Sequence, residues 1–176
     1  MFDRYAGDNK TQLAWEEKIY LVGSTLVLPT INIVSFLSSH NTNSAPKRLR
    51  DARTFKKTAN ACLSFVQILG PAETPDDIPF LRDGQPIQVG KFNATCDPLS
   101  GLKLHRAIAR LDKGIPNPKE RPLLPLPWEI EFYLRIYPNK EIKEQEIRNL
   151  FHDGGLAIGL GTFRGAYGKF EIVKWQ

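Results

Sequence analysis

The stretch Trp128–Trp175 constrains the fold more than any other part of the chain. Trp128–Tyr137 (WEIEFYLRIY) alternates side-chain character with period two and is rich in aromatic and β-branched residues, which predicts a strand. In Asn139–His152 (NKEIKEQEIRNLFH), Ile147, Leu150 and Phe151 share one face while Glu and Lys fill the other. That pattern predicts an amphipathic helix, with Asn139 as N-cap and Gly154–Gly155 as its C-terminal stop. Gly159, Gly161, Gly165 and Gly168 then form a loop suited to positive φ or close backbone approach, carrying Arg164 and Lys169. Lys169–Trp175 is expected to return as a strand, so the unit reads strand, helix, glycine loop, strand.

Three phosphate-binding motifs are excluded by spacing. The dinucleotide fingerprint needs G-x-G-x-x-G between a strand and the helix it opens. Here Gly159, Gly161 and Gly165 are spaced G-x-G-x-x-x-G, after a helix and before a strand. No following helix offers its N-terminus to a phosphate. Gly168–Lys169 ends like a Walker motif, but Phe163 replaces the first glycine and Phe170 replaces the Ser or Thr that holds magnesium. A kinase loop fails because too little chain follows for the catalytic and metal-binding segments.

At 176 residues the chain is long enough for a real core, and 41 % hydrophobic with 24 % charged residues is ordinary for a globular protein. A net charge of +5 favours a polyanionic partner. Cys62, Cys96 and the scattered His40, His105 and His152 lack metal-ligand spacing, so neither a metal nor a cofactor is expected. MFDRYAGDNK has no apolar signal core, which predicts a cytoplasmic chain with reduced thiols.

Ile19–His40 lacks Asp, Glu, Lys and Arg, but Gly23, Ser24, Thr25, Pro29, Thr30, Asn32 and Ser35 interrupt it, so a membrane span is not expected. Ile19–Leu28 reads as a buried strand bulged at Gly23, and Ile31–His40 as a short helix capped by Thr30. In NSAPKRLRDARTFKK, Lys47, Arg48, Arg50, Arg53, Lys56 and Lys57 face only Asp51, a density of one sign that suits phosphates; the plainer alternative is a solvated helix or loop. Pro46 can open a helix there, with Leu49, Ala52 and Phe55 as a thin apolar side. Ala61–Leu69 reads as an apolar strand.

Pro71–Asp97 is turn-rich, with short strands around Pro86–Val89; its acids Glu73, Asp76 and Asp77 suit a solvated loop better than a metal site. Lys103–Asp112 is ambiguous between strand and helix, and Lys103, His105, Arg106 and Arg110 make a second basic cluster. Gly114–Pro127 (GIPNPKERPLLPLP) reads as an extended, proline-stiffened connection. Residues 71–127 together are expected to be a β-rich insertion in a single domain.

These pieces resemble a known family. A first strand, LPTINIVSFLSS opening a helix, a basic segment, and a C-terminal helix–glycine loop–strand look like the RAMP superfamily of CRISPR-associated proteins. GLGTFRGAYGKF is similar to the G-I-G-D-[WF]-R-P-x-[YF]-G-R-F pattern of RAMP-like phage and prophage proteins, with Thr162 in place of Asp and Gly165 in place of Pro. The likeness covers the two ends of the chain. It implies an α+β fold with a ferredoxin-like, or RNA-recognition-motif-like, antiparallel sheet, helices on one face and the insertion in the middle. It also implies handling of single-stranded RNA or DNA in a bacterial cell, by a host or phage-encoded protein.

The residues agree with that implication. Lys47, Arg48, Arg50, Arg53, Lys56, Lys57, Lys103, Arg106, Arg164 and Lys169 supply charge. Gly159, Gly161 and Gly165 allow backbone N–H groups to approach phosphates, and Phe163 or Tyr167 can stack a base. The alternative for Phe163, Tyr167 and Phe170 is core packing. The expectation is a non-catalytic nucleic-acid-binding protein. One rival is a metal-independent RAMP-type endoribonuclease with His40 as general acid or base. Another is a phage structural or CRISPR-complex-binding protein that contacts protein, including other RAMP-like subunits.

Overall fold

Gly23 takes φ 60° and turns the chain between Leu21–Val22 and Thr25, making a hairpin. The structure is a computed structural model that describes residues 14–40, 44–71, 77–110, 116–161 and 166–176. Along the chain, a short 3-10 turn (Glu16–Lys18) precedes β1 (Leu21–Val22), β2 (Thr25–Pro29), α1 (Thr30–Ser38), α2 (Ala45–Leu49), α3 (Phe55–Phe65) and β3 (Val66–Leu69). There follow β4 (Asp77–Arg82), β5 (Gln85–Pro86), β6 (Lys103–Arg110), β7 (Pro116–Leu123), β8 (Glu129–Ile130), β9 (Tyr133–Ile136) and α4 (Glu144–Ala157). The fold is mixed α and β, with antiparallel strand pairs and no closed sheet among the described residues. No helix among them is long and apolar enough to cross a membrane.

The chain divides into two units, Met1–Leu28 with Pro79–Ile130 and Pro29–Ile78 with Glu131–Gln176. The first is built from strands. Its sheet runs β1-β2-β4-β5, with β8 also paired to β4. Asp83 and Gly84, with φ 53° and 73°, make the tight turn that joins β4 to β5. Leu26, Val27, Phe80, Ile87, Leu102 and Leu124 are buried at its centre. β6 and β7 form a separate ribbon, in register from Lys103 opposite Leu123 to Arg110 opposite Pro116. The loop entering the ribbon is fixed by Asp97, which is fully buried. Its carboxylate accepts from the N–H of Gly90 (3.0 Å), Leu99 (3.1 Å) and Ser100 (3.0 Å), and from the Ser100 hydroxyl. Burial alone would push this carboxyl up, but those donors outweigh it and hold it below the usual aspartate range.

The second unit is helical around a two-stranded sheet, β3 with β9. Ile33, Phe36, Leu37, Cys62, Ile68, Ile147, Leu150 and Phe151 bury its core. Phe36 stacks on Phe151 at 5.4 Å. Gly154 is there because a Cβ would come within 2.6 Å of Phe36 and 2.9 Å of Ala45, so the missing side chain lets α2 seat directly on α4.

Several expected elements come out differently. Ile19–Leu28 is a hairpin with Gly23 in its turn, rather than one bulged strand. Thr30 is the first residue of α1 and Pro29 its cap position, without a side-chain hydrogen bond. Pro46 does stand at the start of a helix, but Ser44 caps it, accepting from Lys47 N–H at 3.4 Å, and the helix stops at Leu49. Ala61–Phe65 is helical, because Ala61 and Cys62 continue the buried face of α3; only Val66–Leu69 is strand. Trp128–Tyr137 is broken, since β8 pairs with β4 and β9 with β3.

Asn139 does not cap α4. Its side chain accepts from Glu141 and Ile142 N–H (2.9 and 2.8 Å) in a turn that precedes the helix, whose cap position is Lys143. α4 then runs through Gly154–Gly155, which are sites of close packing and not a stop. Lys169–Trp175 forms no strand. It lies along α4, with Phe170 N–H donating to Gly155 O (3.3 Å) and Trp175 Nε1 to Glu144 Oε1 (2.8 Å). Gly114–Pro127 is more than a connection, because Pro116–Leu123 forms β7.

Candidate nucleic-acid interface

The basic segment is shaped by two sequence-local devices. Ser44 and Pro46 begin α2, and Asp51 Oδ1 accepts from Arg53 and Thr54 N–H (2.6 and 3.2 Å) to turn the chain into α3. α2 lies antiparallel to α4, with Ala45 against Gly154 at one end and Arg50 against Glu146 at the other. The cations of this segment are exposed, but they are not equivalent. Arg50 Nη2 meets Glu146 Oε1 at 3.0 Å, and Lys57 Nζ meets Glu141 Oε2 at 3.1 Å. Lys47 Nζ donates to the His40 carbonyl at 2.9 Å. Arg48, Arg53 and Lys56 are exposed and carry no ion pair among the described residues. Glu146 also acts inward: burial first, and then its negative charge, push the Cys62 thiol up to about 12, so Cys62 is a packing group here.

The glycine loop has a closed neck. Leu160 N–H donates to Gly168 O at 2.8 Å. A Cβ on Gly159 would lie 2.5 Å from the Gly168 carbonyl, and one on Gly168 would collide with the Leu160 oxygen at 1.8 Å. Gly159, Gly161 and Gly168 have φ of 78°, 91° and 72°, in the left-handed region that favours glycine. Two of these glycines thus serve backbone-to-backbone contact. The Gly159 N–H donates to Gly154 O (3.0 Å) at the end of α4, so that amide is engaged within the protein. A helix C-terminus carries partial negative charge, which disfavours a phosphate at that spot. Tyr167 is half-buried and Lys169 exposed. Phe163, Arg164 and Gly165 lie outside the described residues. Phe170 is a packing residue, against Gly155 and 5.7 Å from Phe36.

In the strand unit, pairing rearranges the second basic cluster. Lys103 and His105 share one face of the ribbon with Arg121, opposite His105, and Lys119, opposite Ala107. Arg106 lies on the other face, where its Nε meets Glu120 Oε1 at 2.8 Å. Lys119 and Arg121 were hidden in the sequence inside a proline-rich stretch. Their spacing of two residues was the one available signal, and it meant nothing until that stretch was read as a strand.

His40 lies just past the Ser39 cap of α1 with its ring edge-on to Phe55 at 6.1 Å, and His152 Nδ1 lies 2.8 Å from its neighbour Asp153. No cluster of three His, Cys, Asp or Glu that could hold a metal occurs among the described residues. A crevice in the strand unit, lined by Ile19, Leu26, Phe80, Leu102 and Leu124, holds about 10 Å³, room for no more than a water. Compared with protein-family models, with curated proteins and with solved structures, the chain matches none of them.

Proposed function

We propose that this protein is a non-catalytic nucleic-acid-binding protein for single strands, working inside the cell, with the α2–α3 segment as its main phosphate-contacting surface. The observation that carries the reading is the trio Arg48, Arg53 and Lys56. These side chains are exposed, close in sequence and without a carboxylate partner among the described residues, while neighbouring Arg50 and Lys57 are held by acids of the α4 region. Phosphates on a flexible strand are the natural counterions for such a group. The ribbon face with Lys103 and Lys119 is a second, weaker candidate, and the glycine loop contributes through Lys169 and Tyr167.

The RAMP likeness belongs to the same proposal. In that reading β3 and β9 are the second and third strands of a ferredoxin-like βαββαβ order, with α3 and α4 as its helices. β2 would be the first strand and Lys169–Trp175 the last. Two departures count against it: β2 is hydrogen-bonded in the sheet with β1 and β4, and Lys169–Trp175 follows α4 without strand pairing. The RAMP-type ribonuclease reading keeps His40 as its candidate.

The test is fluorescence anisotropy of the purified protein with labelled single-stranded RNA, single-stranded DNA and duplex across a salt series, with the RNA run on a gel afterwards. Tight single-strand binding with a steep salt slope and intact RNA is the expected result. RNA cut in the presence of chelator would replace the proposal with a ribonuclease, with His40 the first position to mutate. Absence of binding to every probe would move the search to protein partners.

A further inference from the structure

β9 and the residue after it, Tyr133–Tyr137, carry a partly exposed face that holds none of the candidate site residues, although Leu69, opposite Tyr133 on that face, is buried. Pairing of Val66 with Ile136 and Ile68 with Leu134 turns those apolar side chains to one face of the two-stranded sheet. Period-two geometry then puts Tyr133, Arg135 and Tyr137 together on the opposite face. Tyr133 and Tyr137 are 47 % and 45 % exposed, unusual for large aromatic side chains on a sheet, and Arg135 between them is exposed too. Tyr137 is held in place rather than loose. Its N–H extends the ladder to Phe65 O (2.9 Å), and its hydroxyl donates to Gln67 Oε1 (2.8 Å) across the pair.

We infer that this face is a base-stacking platform for single-stranded nucleic acid, with Tyr133 and Tyr137 as the stacking rings and Arg135 as the cation between them. Residues i and i+4 of a strand lie about 13 to 14 Å apart. At roughly 3.4 Å per stacked layer, that span holds two bases, each between a tyrosine ring and the guanidinium. Charge and continuity both favour a polyanion over an apolar partner. The exposed Lys140 follows Tyr137 by three residues, and Glu141 is the carboxylate that holds Lys57 at 3.1 Å. Tyr137 and Glu141 are at most about 14 Å apart along the chain. At the platform's Tyr137 end the chain is tied to both ends of α3, to the Phe65 carbonyl at 2.9 Å and then through Glu141 to Lys57 at 3.1 Å, next to Lys56 in sequence. Its other end is closed to phosphate by Glu131, exposed two residues before Tyr133. A strand bound here would lay its bases on β9 and run its phosphates toward α3.

This inference rests on the nucleic-acid reading above, and the probes separate the two. Wild-type protein is titrated with an oligouridylate, an oligodeoxythymidylate and an abasic oligonucleotide of equal length. Preference for the base-bearing strands over the abasic one is expected, by about tenfold or more for each stacking ring. The Tyr133→Leu/Tyr137→Leu variant should lose that preference while keeping the abasic affinity and its salt slope. Tyr133→Phe/Tyr137→Phe, which keeps the rings and gives up the Gln67 hydrogen bond, should retain it and controls for folding. Equal wild-type binding of abasic and base-bearing strands would overturn the platform and leave the phosphate reading standing. A base preference that survives in the folded Leu variant would overturn it as well. Binding of no probe at all would overturn both.

Discussion

Among the described residues, two basic surfaces are assembled in opposite ways. On α2–α3 the cations are neighbours in sequence, and the fold sorts them by bringing Glu146 to Arg50 and Glu141 to Lys57 while leaving Arg48, Arg53 and Lys56 without such partners among the described residues. On the β6–β7 ribbon, neighbours in sequence are separated. Lys103 and Arg106 fall on opposite faces, and Lys119 and Arg121 arrive from the other strand. A helical or looped charge run can be read from sequence as a surface. A charge run on a strand has to be halved and then completed from a partner that only pairing reveals. Charge density alone therefore ranks neither surface; the carboxylates brought in by the fold do.

The largest effect is expected where the ribbon is anchored. Asp97→Ala leaves its buried N–H and hydroxyl donors without an acceptor and should cost about 3 kcal/mol, measured by urea unfolding. If the ribbon is peripheral to binding, this variant should still hold single strands under conditions where it remains folded. Gly154→Val forces a side chain into Phe36 and Ala45, and overpacking of this kind costs about 1 to 3 kcal/mol. Because it displaces α2 from α4, it should also weaken strand binding, an effect Asp97→Ala should not share.

Acid sharpens the same contrast. Asp97 has its folded-state pKa below the unfolded value near 4, so its contribution is complete above about pH 4 and is lost as pH falls through the folded value. The melting temperature should drop in that window, and Asp97→Asn should remove this part of the dependence. The smallest effect belongs to the paired cation. Arg50→Ala breaks a surface ion pair with Glu146 and should change stability by less than about 1 kcal/mol. It should also weaken strand binding less than Arg53→Ala does; equal losses would mean that Glu146 does not withhold Arg50.

Much of the helical unit was legible because its signals are local. Ile147, Leu150 and Phe151 marked the buried face of α4, and all three are buried. The mixed α and β character with antiparallel pairs was legible too. What sequence could not show is contact between distant segments. Gly154–Gly155 look like a helix stop, and only the presence of Phe36, Ala45 and Phe170 explains why they sit inside one. Lys169–Trp175 has the alternation of a strand, but its partner is the side of α4, where Phe170 and Trp175 find Gly155 and Glu144. The prolines of Pro116–Leu123 argued against a strand, yet a two-stranded ribbon has an open edge on each strand, where a missing N–H costs little. In the candidate site, the basic run was legible as a run. Its division into paired and unpaired members was not, because Glu141 and Glu146 lie far along the chain.

The most direct test of the central claim compares wild-type protein with the Arg48→Glu/Arg53→Glu/Lys56→Glu variant. Anisotropy titrations with single-stranded RNA at several salt concentrations give the affinity and its salt slope. If these three side chains neutralise phosphates, the variant should bind far more weakly, and its log–log slope should fall by about 2, the value for three contacts on a single strand. A folded variant with wild-type affinity and an unchanged slope would contradict the claim and remove α2–α3 from the interface.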